Sequence, residues 1–364
     1  MSVFKLAMHP ASEGDALVLT WGTDPAKLHH ALVDLGRTAD YRIIKPYLSS
    51  TQTFELFCLT HIDADHIEGA VPLFKEAALP MKANNIWFNS RAQLAAATER
   101  RAVSERERMG AAQAEKVTAG IVASKWPWNA QFQSGVVSTQ SPEAASPIDL
   151  EDGIKLTLLS PSDSKLASLL PTWDAELAKA HLRTTDPDEV EEALAAGREA
   201  LSIGLDVEKL ASEPFGIDTT RPNGASIVFI AEFDGRRILM AADSHPDLVE
   251  ASIRALGYSE TNRLRLDCLK VSHHGSKANT SPSLLKIIDC TRFAFSTDGT
   301  KHNHPNPQTI ARILKNDPAR QKTLIFNFHQ PNTDQWNNNG DLKTKWNYDC
   351  VFPDHGAVGV EIDM

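Results

Sequence analysis

A chain of 364 residues, 42% hydrophobic and 23% charged, has the composition of a soluble globular protein with room for one large core or two ordinary ones. The formal net charge of -10 argues against tight, sequence-independent grip on a phosphate backbone, although cations and local patches can neutralise phosphates. Four widely spaced cysteines (Cys58, Cys268, Cys290, Cys350) with no Cys-x-x-Cys pair exclude a thiolate metal site and point to buried free thiols.

Met1 to Leu6 is too short an apolar run for a signal peptide, and no later stretch is long enough to span a bilayer. The expectation is a cytoplasmic protein of enzyme size. Val3 to Trp21 holds two apolar runs around the polar turn Pro10-Ala11-Ser12-Glu13-Gly14-Asp15, and His30 to Gly36 is a short strand ending in Asp34 and Gly36. Paired runs with turn residues between them predict an antiparallel start to a sheet. Tyr41 to Leu48 is a short helix, and Phe54 to Leu59 a buried strand that feeds Thr60-His61-Ile62-Asp63-Ala64-Asp65-His66-Ile67-Glu68-Gly69. Ile67 to Leu79 reads as a helix with Pro72 in its first turns, and Asn85 to Asn89 as a strand.

The middle of the chain changes character. Arg91 to Lys125 and Asp174 to Leu210 read as helix, the second broken at Asp186-Pro187-Asp188, with the strand Gly153 to Pro161 between them. Trp126-Pro127-Trp128 reads as the anchor of the first helical stretch. From Asn223 the sheet pattern resumes. Ser226 to Phe233 and Arg236 to Ala242 form a hairpin about Asp234-Gly235, and the second strand runs out at Asp243. A helix (Pro246 to Leu256) precedes the strand Leu266 to Val271, which leads into Ser272-His273-His274-Gly275-Ser276-Lys277. Helix Ser281 to Ile288, strand Arg292 to Ser296, the turn His302-Asn303-His304-Pro305 and a further helix follow, and Thr323 to Met364 mixes strands with the Asn-rich loop Asn337 to Asn339. Residues 1–364 are thus expected to form a single domain, with mainly helical insertions at 91–150 and 161–222 and a carboxyl-terminal extension at 321–364.

Two imidazoles and two carboxylates within His61 to His66 make a borderline-to-hard donor set suited to Zn, Mn or Fe. Asp243 and the pair His273/His274 stand at the same structural place, a strand's carboxyl end, where ligands bind in α/β sheets. Asp243 has two oxygens with which to bridge cations; as an isolated residue it would equally serve as a helix N-cap. Asp34 is either a turn former or a carboxylate that orients a ligand imidazole from behind.

The strings His61-x-Asp63-x-Asp65-His66, Asn223-Gly224-Ala225-Ser226, Leu239-Met240-Ala241-Ala242-Asp243, Ser272-His273-His274-Gly275-Ser276-Lys277 and His304-Pro305 resemble the metallo-β-lactamase superfamily, in its ComEC-type branch. Glu13-Gly14-Asp15-Ala16 and Val33-Asp34-Leu35-Gly36 match that branch as well. The resemblance covers Val3 to Phe88, Gly153 to Leu159 and Asn223 to about Leu314, leaving the helical insertions and the tail outside it. It implies an α/β fold (α+β in some schemes), an αββα sandwich with one or two divalent cations, Zn or Mn, at one edge. In that pattern His61 and Asp63 bind one cation, Asp65, His66 and one of His273/His274 the other, and Asp243 is shared. The wider superfamily completes the first site with a further His; here the segment Asn223 to Ser226 takes that place, so Asn223 and Ser226 are read as supporting or substrate-facing residues.

A bound cation lowers the pKa of water from about 16 to about 7, giving hydroxide at neutral pH, and two cations hold both the attacking and the leaving oxygen. Ser276 and Lys277 would then bind a non-bridging oxygen, Asp65 serve the reaction, and His304 donate a proton or hold a phosphate. The expected activity is that of a metal-dependent phosphodiesterase or nuclease acting on DNA or RNA. The alternatives are a small-substrate metallohydrolase (phosphoester, lactone or thioester) with a helical lid, which the acidic charge favours, and a regulatory subunit with a degenerate site. The insertions also suit a protein partner, and no feature fixes the oligomeric state.

Overall fold

The computed structural model describes residues 2–99, 111–180, 205–354 and 359–364. The helical expectations for 100–110 and 181–204, with the break at Asp186-Pro187-Asp188, lie outside the described residues.

The amino-terminal sheet is built from β1 (Val3–Met8), β2 (Leu17–Asp24), β3 (Lys27–Val33), β4 (Leu56–Cys58) and β5 (Ile86–Trp87). Alternation decides its two faces: Leu17, Leu19 and Trp21 of β2 point one way and Val18 the other, as a pleated strand requires. β1, β2 and β3 pair antiparallel, with Leu6 opposite Leu19 and Leu19 opposite Ala31, and β4 and β5 then add in parallel.

The second sheet comprises β6 (Ile148–Asp149), β7 (Lys155–Ser160), β8 (Val228–Phe233), β9 (Arg236–Met240), β10 (Cys268–Lys270), β11 (Arg292–Phe295), β12 (Lys322–Phe326) and β13 (Tyr348–Val351). They lie in chain order across the sheet, antiparallel from β6 to β9 and parallel from β9 to β13. A last strand, β14 (Val360–Asp363), returns to pair with β1, Lys5 opposite Asp363. Residues 321–364 therefore supply strands to both sheets.

Phe4, Leu19, Trp21 and Trp87 of one sheet meet Leu156, Phe229, Met240 and Ile325 of the other in a shared core. On the outer face of the first sheet, Tyr41, Ile44 and Leu48 of α1 (Thr38–Thr51) pack over Val18, Leu32 and Phe57. On the outer face of the second, helices before and after β11 bury Val249, Ile253, Ile310 and Leu314 against Leu239, Leu269 and Leu324. The layers are α, β, β, α, the expected α/β sandwich.

The helix expected over Ile67 to Leu79 is two short pieces, α2 (Ala64–Ile67) and α3 (Ala70–Lys75), with Pro72 in the first turn of α3. They meet at Gly69, where a Cβ would lie 2.1 Å from the carbonyl oxygen of Leu35, so only glycine fits. The first helical stretch contributes α4 (Arg91–Glu99) and α5 (Ala111–Ser124); α6 (Asp163–Ala180) follows β7 and lies along α4. Leu94, Val117, Ile121, Leu169 and Trp173 join the outer core of the first sheet. Trp126 packs against Phe74 and Trp128 donates to the Phe88 carbonyl at 2.9 Å, which makes this tryptophan pair an anchor. Beyond residue 205 come α7 (Val207–Ser212), α8 (Arg221–Gly224), α9 (Pro246–Ala255), α10 (Pro282–Lys286) and α11 (Pro307–Lys315). The Asn-rich stretch is only the joint between α12 (Pro331–Asn337) and α13 (Gly340–Trp346), with Asn339 capping α13 by accepting from the Leu342 amide. The four cysteines are free, three of them buried. No described helix is long and apolar enough to cross a membrane.

Candidate metal centre

The site forms where the loops after β3, β4, β9 and β10 meet. β4 runs out into Thr60, whose amide and hydroxyl both donate to Asp34 at 2.7 Å, tying the loop after β4 to the loop after β3. Asp65 and His66 then ride on the single turn of α2, pinned by the Leu35 amide donating to the His66 carbonyl and the Asp15 amide donating to that of Asp65. Gly14 lies so close beneath that a Cβ there would fall 1.8 Å from the Asp65 oxygen. Across the cleft, the His273 amide donates to the Ala242 carbonyl, and Asn279 donates to the carbonyls of Asp243 and Ser244. Asp34, Ala242, His273 and His274 all have left-handed φ, between 44° and 58°. This is a conformation that costs non-glycine residues on the order of 1–2 kcal/mol each, and such strain gathers at functional sites.

Four imidazoles share one arrangement. The Nδ1 atoms of His61, His66, His273 and His274 lie 3.0, 2.8, 3.0 and 2.8 Å from Thr60 Oγ1, Asp34 Oδ2, Asn279 Oδ1 and the Ser296 carbonyl. With Nδ1–H donating outward, each ring presents Nε2 as a lone pair, the state a metal ligand needs. His66 Nε2 is 3.2 Å from His274 Nε2 and 3.4 Å from Asp243 Oδ1, while His274 Nε2 is 3.5 Å from Asp65 and 3.6 Å from Asp243 Oδ2. His61 Nε2 is 3.6 Å from Asp63 and 4.0 Å from Asp243 Oδ2, and His273 Nε2 is 3.6 Å from that same oxygen.

His61/His66/Asp243 and Asp65/His66/His274 are each spaced to hold one cation. His61 Nε2, Asp63 Oδ1 and Asp243 Oδ1 are buried with no hydrogen bond from the protein, a condition that stays costly unless an ion or water takes it up. The donor set therefore fits divalent cations.

The electrostatics agree. Burial pushes the Asp65 carboxyl up, but His66 and His274 outweigh it and hold the group below the usual carboxylate range. Asp243 is likewise held down, against burial, by His273, His274 and His66. In return, and again against burial, Asp243, Asp34 and Asp65 hold His66 well above its ordinary value, while Asp243 and Asp15 push His274 up to about 10. Without a metal, protons on imidazole supply the positive charge the carboxylates require.

The other sequence candidates fall at different distances from this centre. His304 is buried with its ring 5.2 Å from that of His273, and burial plus the neighbouring imidazoles hold it well below its ordinary value, so it is neutral at pH 7. Ser276 is buried in the turn after His274, its amide donating to the His273 carbonyl. Lys277 is exposed, its amide donating to Asn306 Oδ1 and its carbonyl accepting from Arg312. Asn223 and Ser226 are buried beside the site. Asp243 is not a helix cap; His245 occupies that position in α9. His245 is engaged by Thr220 and Lys165, and His181 lies outside the described residues.

Sequence reading missed Asp218 and Asn279, which surround His273, and the buried pair Lys270–Asp15 at 2.7 Å behind His274. Asp15 lies within Glu13-Gly14-Asp15-Ala16, and Lys270, a lysine inside an apolar strand, is the one local signal.

No family model and no curated protein matches the chain. Among solved structures, a Parabacteroides distasonis protein described as "putative metal-dependent hydrolase" is similar over 96% of this chain and 93% of its own, at 13% identity and a TM-score of 0.38.

Proposed function

We propose that the chain is a metal-dependent hydrolase of the metallo-β-lactamase type, ComEC-like in its motifs, and that it cleaves phosphodiesters in DNA or RNA. The observation that carries the reading is the convergence of His66 and His274, Nε2 atoms 3.2 Å apart, on Asp65 and Asp243, beside buried His61 Nε2 and Asp63 Oδ1 atoms that have no hydrogen-bond partner. A buried imidazole pair facing a carboxylate pair has little structural use without a cation between them.

His61, Asp63 and Asp243 would hold one cation, and Asp65, His66, His274 and Asp243 the other. When bound, such cations activate water and neutralise charge developing on a phosphoryl oxygen. The chain's own part is to fix the donors. Asp34 holds His66, Ser296 holds His274, and Asn279 holds His273, whose half-exposed edge and the neutral ring of His304 line the approach. The net charge of -10 favours the second reading, a small phosphoester substrate.

The test is cleavage of linear single- and double-stranded DNA and of RNA with Mn, Zn or Mg, by the wild type and by a double variant, Asp65→Ala with His66→Ala. Metal-dependent cleavage lost in the variant supports the nuclease reading. Bound metal with no cleavage turns it toward the small substrate, and no metal with no cleavage ends both.

A further inference from the structure

Lys270 is the last residue of β10, the strand that runs into the His273–His274 turn, and its side chain is wholly buried. Alternation fixes where it points. Leu269 packs in the outer core of the second sheet, so Cys268 and Lys270 face inward, beside Met240 and Ala294, which pair with Lys270 and belong to the core between the sheets. No water solvates an ammonium there, and burying it unpaired is costly. It reaches from the second sheet to the turn before β2 of the first, where its Nζ donates to Asp15 Oδ2 at 2.7 Å. A second hydrogen bond goes to the Val271 carbonyl at 3.3 Å. Among the described residues, no other lysine or arginine ion pair is buried at both ends.

A buried pair of this kind seldom adds net stability over apolar residues of the same size. What sets this one apart is what Asp15 touches. Its amide donates to the Asp65 carbonyl at 3.3 Å, its carbonyl accepts from the Gly36 amide at 2.9 Å, and the glycine before it lies against Asp65. Its other carboxylate oxygen, Oδ1, is buried with no hydrogen bond and stands 3.7 Å from His274 Nδ1. Asp15 also falls within two donor groups, one with Asp34 and His66 and one with Asp243 and His274. One residue thus meets the Asp65 turn on the first sheet and His274 on the second.

We propose that Lys270 and Asp15 are a positioning pair for the His66/His274 half of the centre: the ammonium is an internal counter-ion that makes Asp15 a brace instead of a metal ligand and sets the Asp65 turn against His274. This rests on the metallohydrolase reading above and goes beyond it in giving the centre a fixed cation of its own. Groups that hold metal ligands from behind orient them and tune their affinity.

The experiment measures Zn affinity, by competition with a chelator, and the melting temperature of the chelated protein. It compares the wild type, Lys270→Met, and Lys270→Met combined with Asp15→Asn. Lys270→Met leaves a buried carboxylate unpaired, so it is expected to melt lower and to bind Zn about 10- to 100-fold more weakly. Adding Asp15→Asn removes the unpaired charge and is expected to restore the melting temperature while the affinity stays weak. That split separates positioning from support of the fold alone. Wild-type affinity in Lys270→Met, or affinity that recovers with the melting temperature in the double variant, overturns this inference and leaves the hydrolase reading standing. Should Lys270→Met fail to fold, by circular dichroism, the double variant decides alone: weak Zn binding supports the pair, and wild-type affinity overturns it. A wild type that binds no Zn, Mn or Mg sinks the reading beneath it and this inference too.

Discussion

The two halves of the centre are built by different means. On the His66/His274 side, the donors sit 3.2 to 3.8 Å from one another, and Nδ1 of each ring is held by Asp34 or Ser296. On the His61 side, the imidazole and carboxylates stand 3.6 to 4.0 Å apart, and His61 Nε2 and Asp63 Oδ1 are buried without a hydrogen-bond partner. The first half is assembled from loops that follow parallel strands. The second half uses the same loop after β4, whose Thr60 carbonyl accepts from the Ile227 amide ahead of β8. The difference teaches that one loop, after β4, serves both halves, and that the half closed by His274 from the loop after β10 brings its donors closer.

Asp243 is the residue common to both halves, and its removal is the largest break available. Asp243→Ala is expected to abolish binding of both cations and to lower hydrolysis about a thousandfold or more; elemental analysis and the cleavage rate together check this. Breaking only the imidazole half is milder. Asp34→Ala frees His66 Nδ1 and both Thr60 donors, and is expected to weaken metal binding about 10- to 100-fold, read by competition with a chelator.

Acidity sharpens the same contrast. His274 titrates at about 10 and His66 well above its ordinary value in the metal-free fold, so these groups bind more protons folded than unfolded. Their stabilising contribution is complete below about pH 6.5, the unfolded value, and is lost as pH rises through the folded one. Chelated protein should therefore lose thermal stability from pH 6.5 toward 10. Metal-loaded protein should not, because cation binding displaces those protons and strengthens as they leave. Parallel melting curves at four or five pH values across this range test it; parallel declines in both forms would contradict it. The smallest effect concerns backbone strain. Ala242, at φ 44° just before Asp243, is a position where glycine is the easier residue, so Ala242→Gly is expected to raise stability by about 0.5–1 kcal/mol in denaturant unfolding.

Much of this was legible in the chain itself. Alternation in Leu17 to Trp21 and the Asp234-Gly235 turn mark strands whose faces and pairing the fold bears out. The dense cluster His61 to His66 pointed to a candidate metal centre because two imidazoles and two carboxylates within six residues make a cation's donor set. Less legible was whatever depends on contacts far apart in sequence. The break at Gly69 is set by Leu35, and Asn279 reads as an ordinary polar loop residue until it is seen to bridge His273, Asp218 and Asp243. Asp218 gave no signal at all, being one aspartate in a polar stretch whose partners come from α8 and from the loop after β10.

The central claim is that divalent cations flank Asp243. The most direct measurement is anomalous diffraction at the Mn and Zn absorption edges from crystals grown with those metals. Two peaks are predicted, one among Asp65, His66, His274 and Asp243 and one among His61, Asp63 and Asp243. Metal-saturated crystals with no peak within coordination distance of Asp243 would contradict the account.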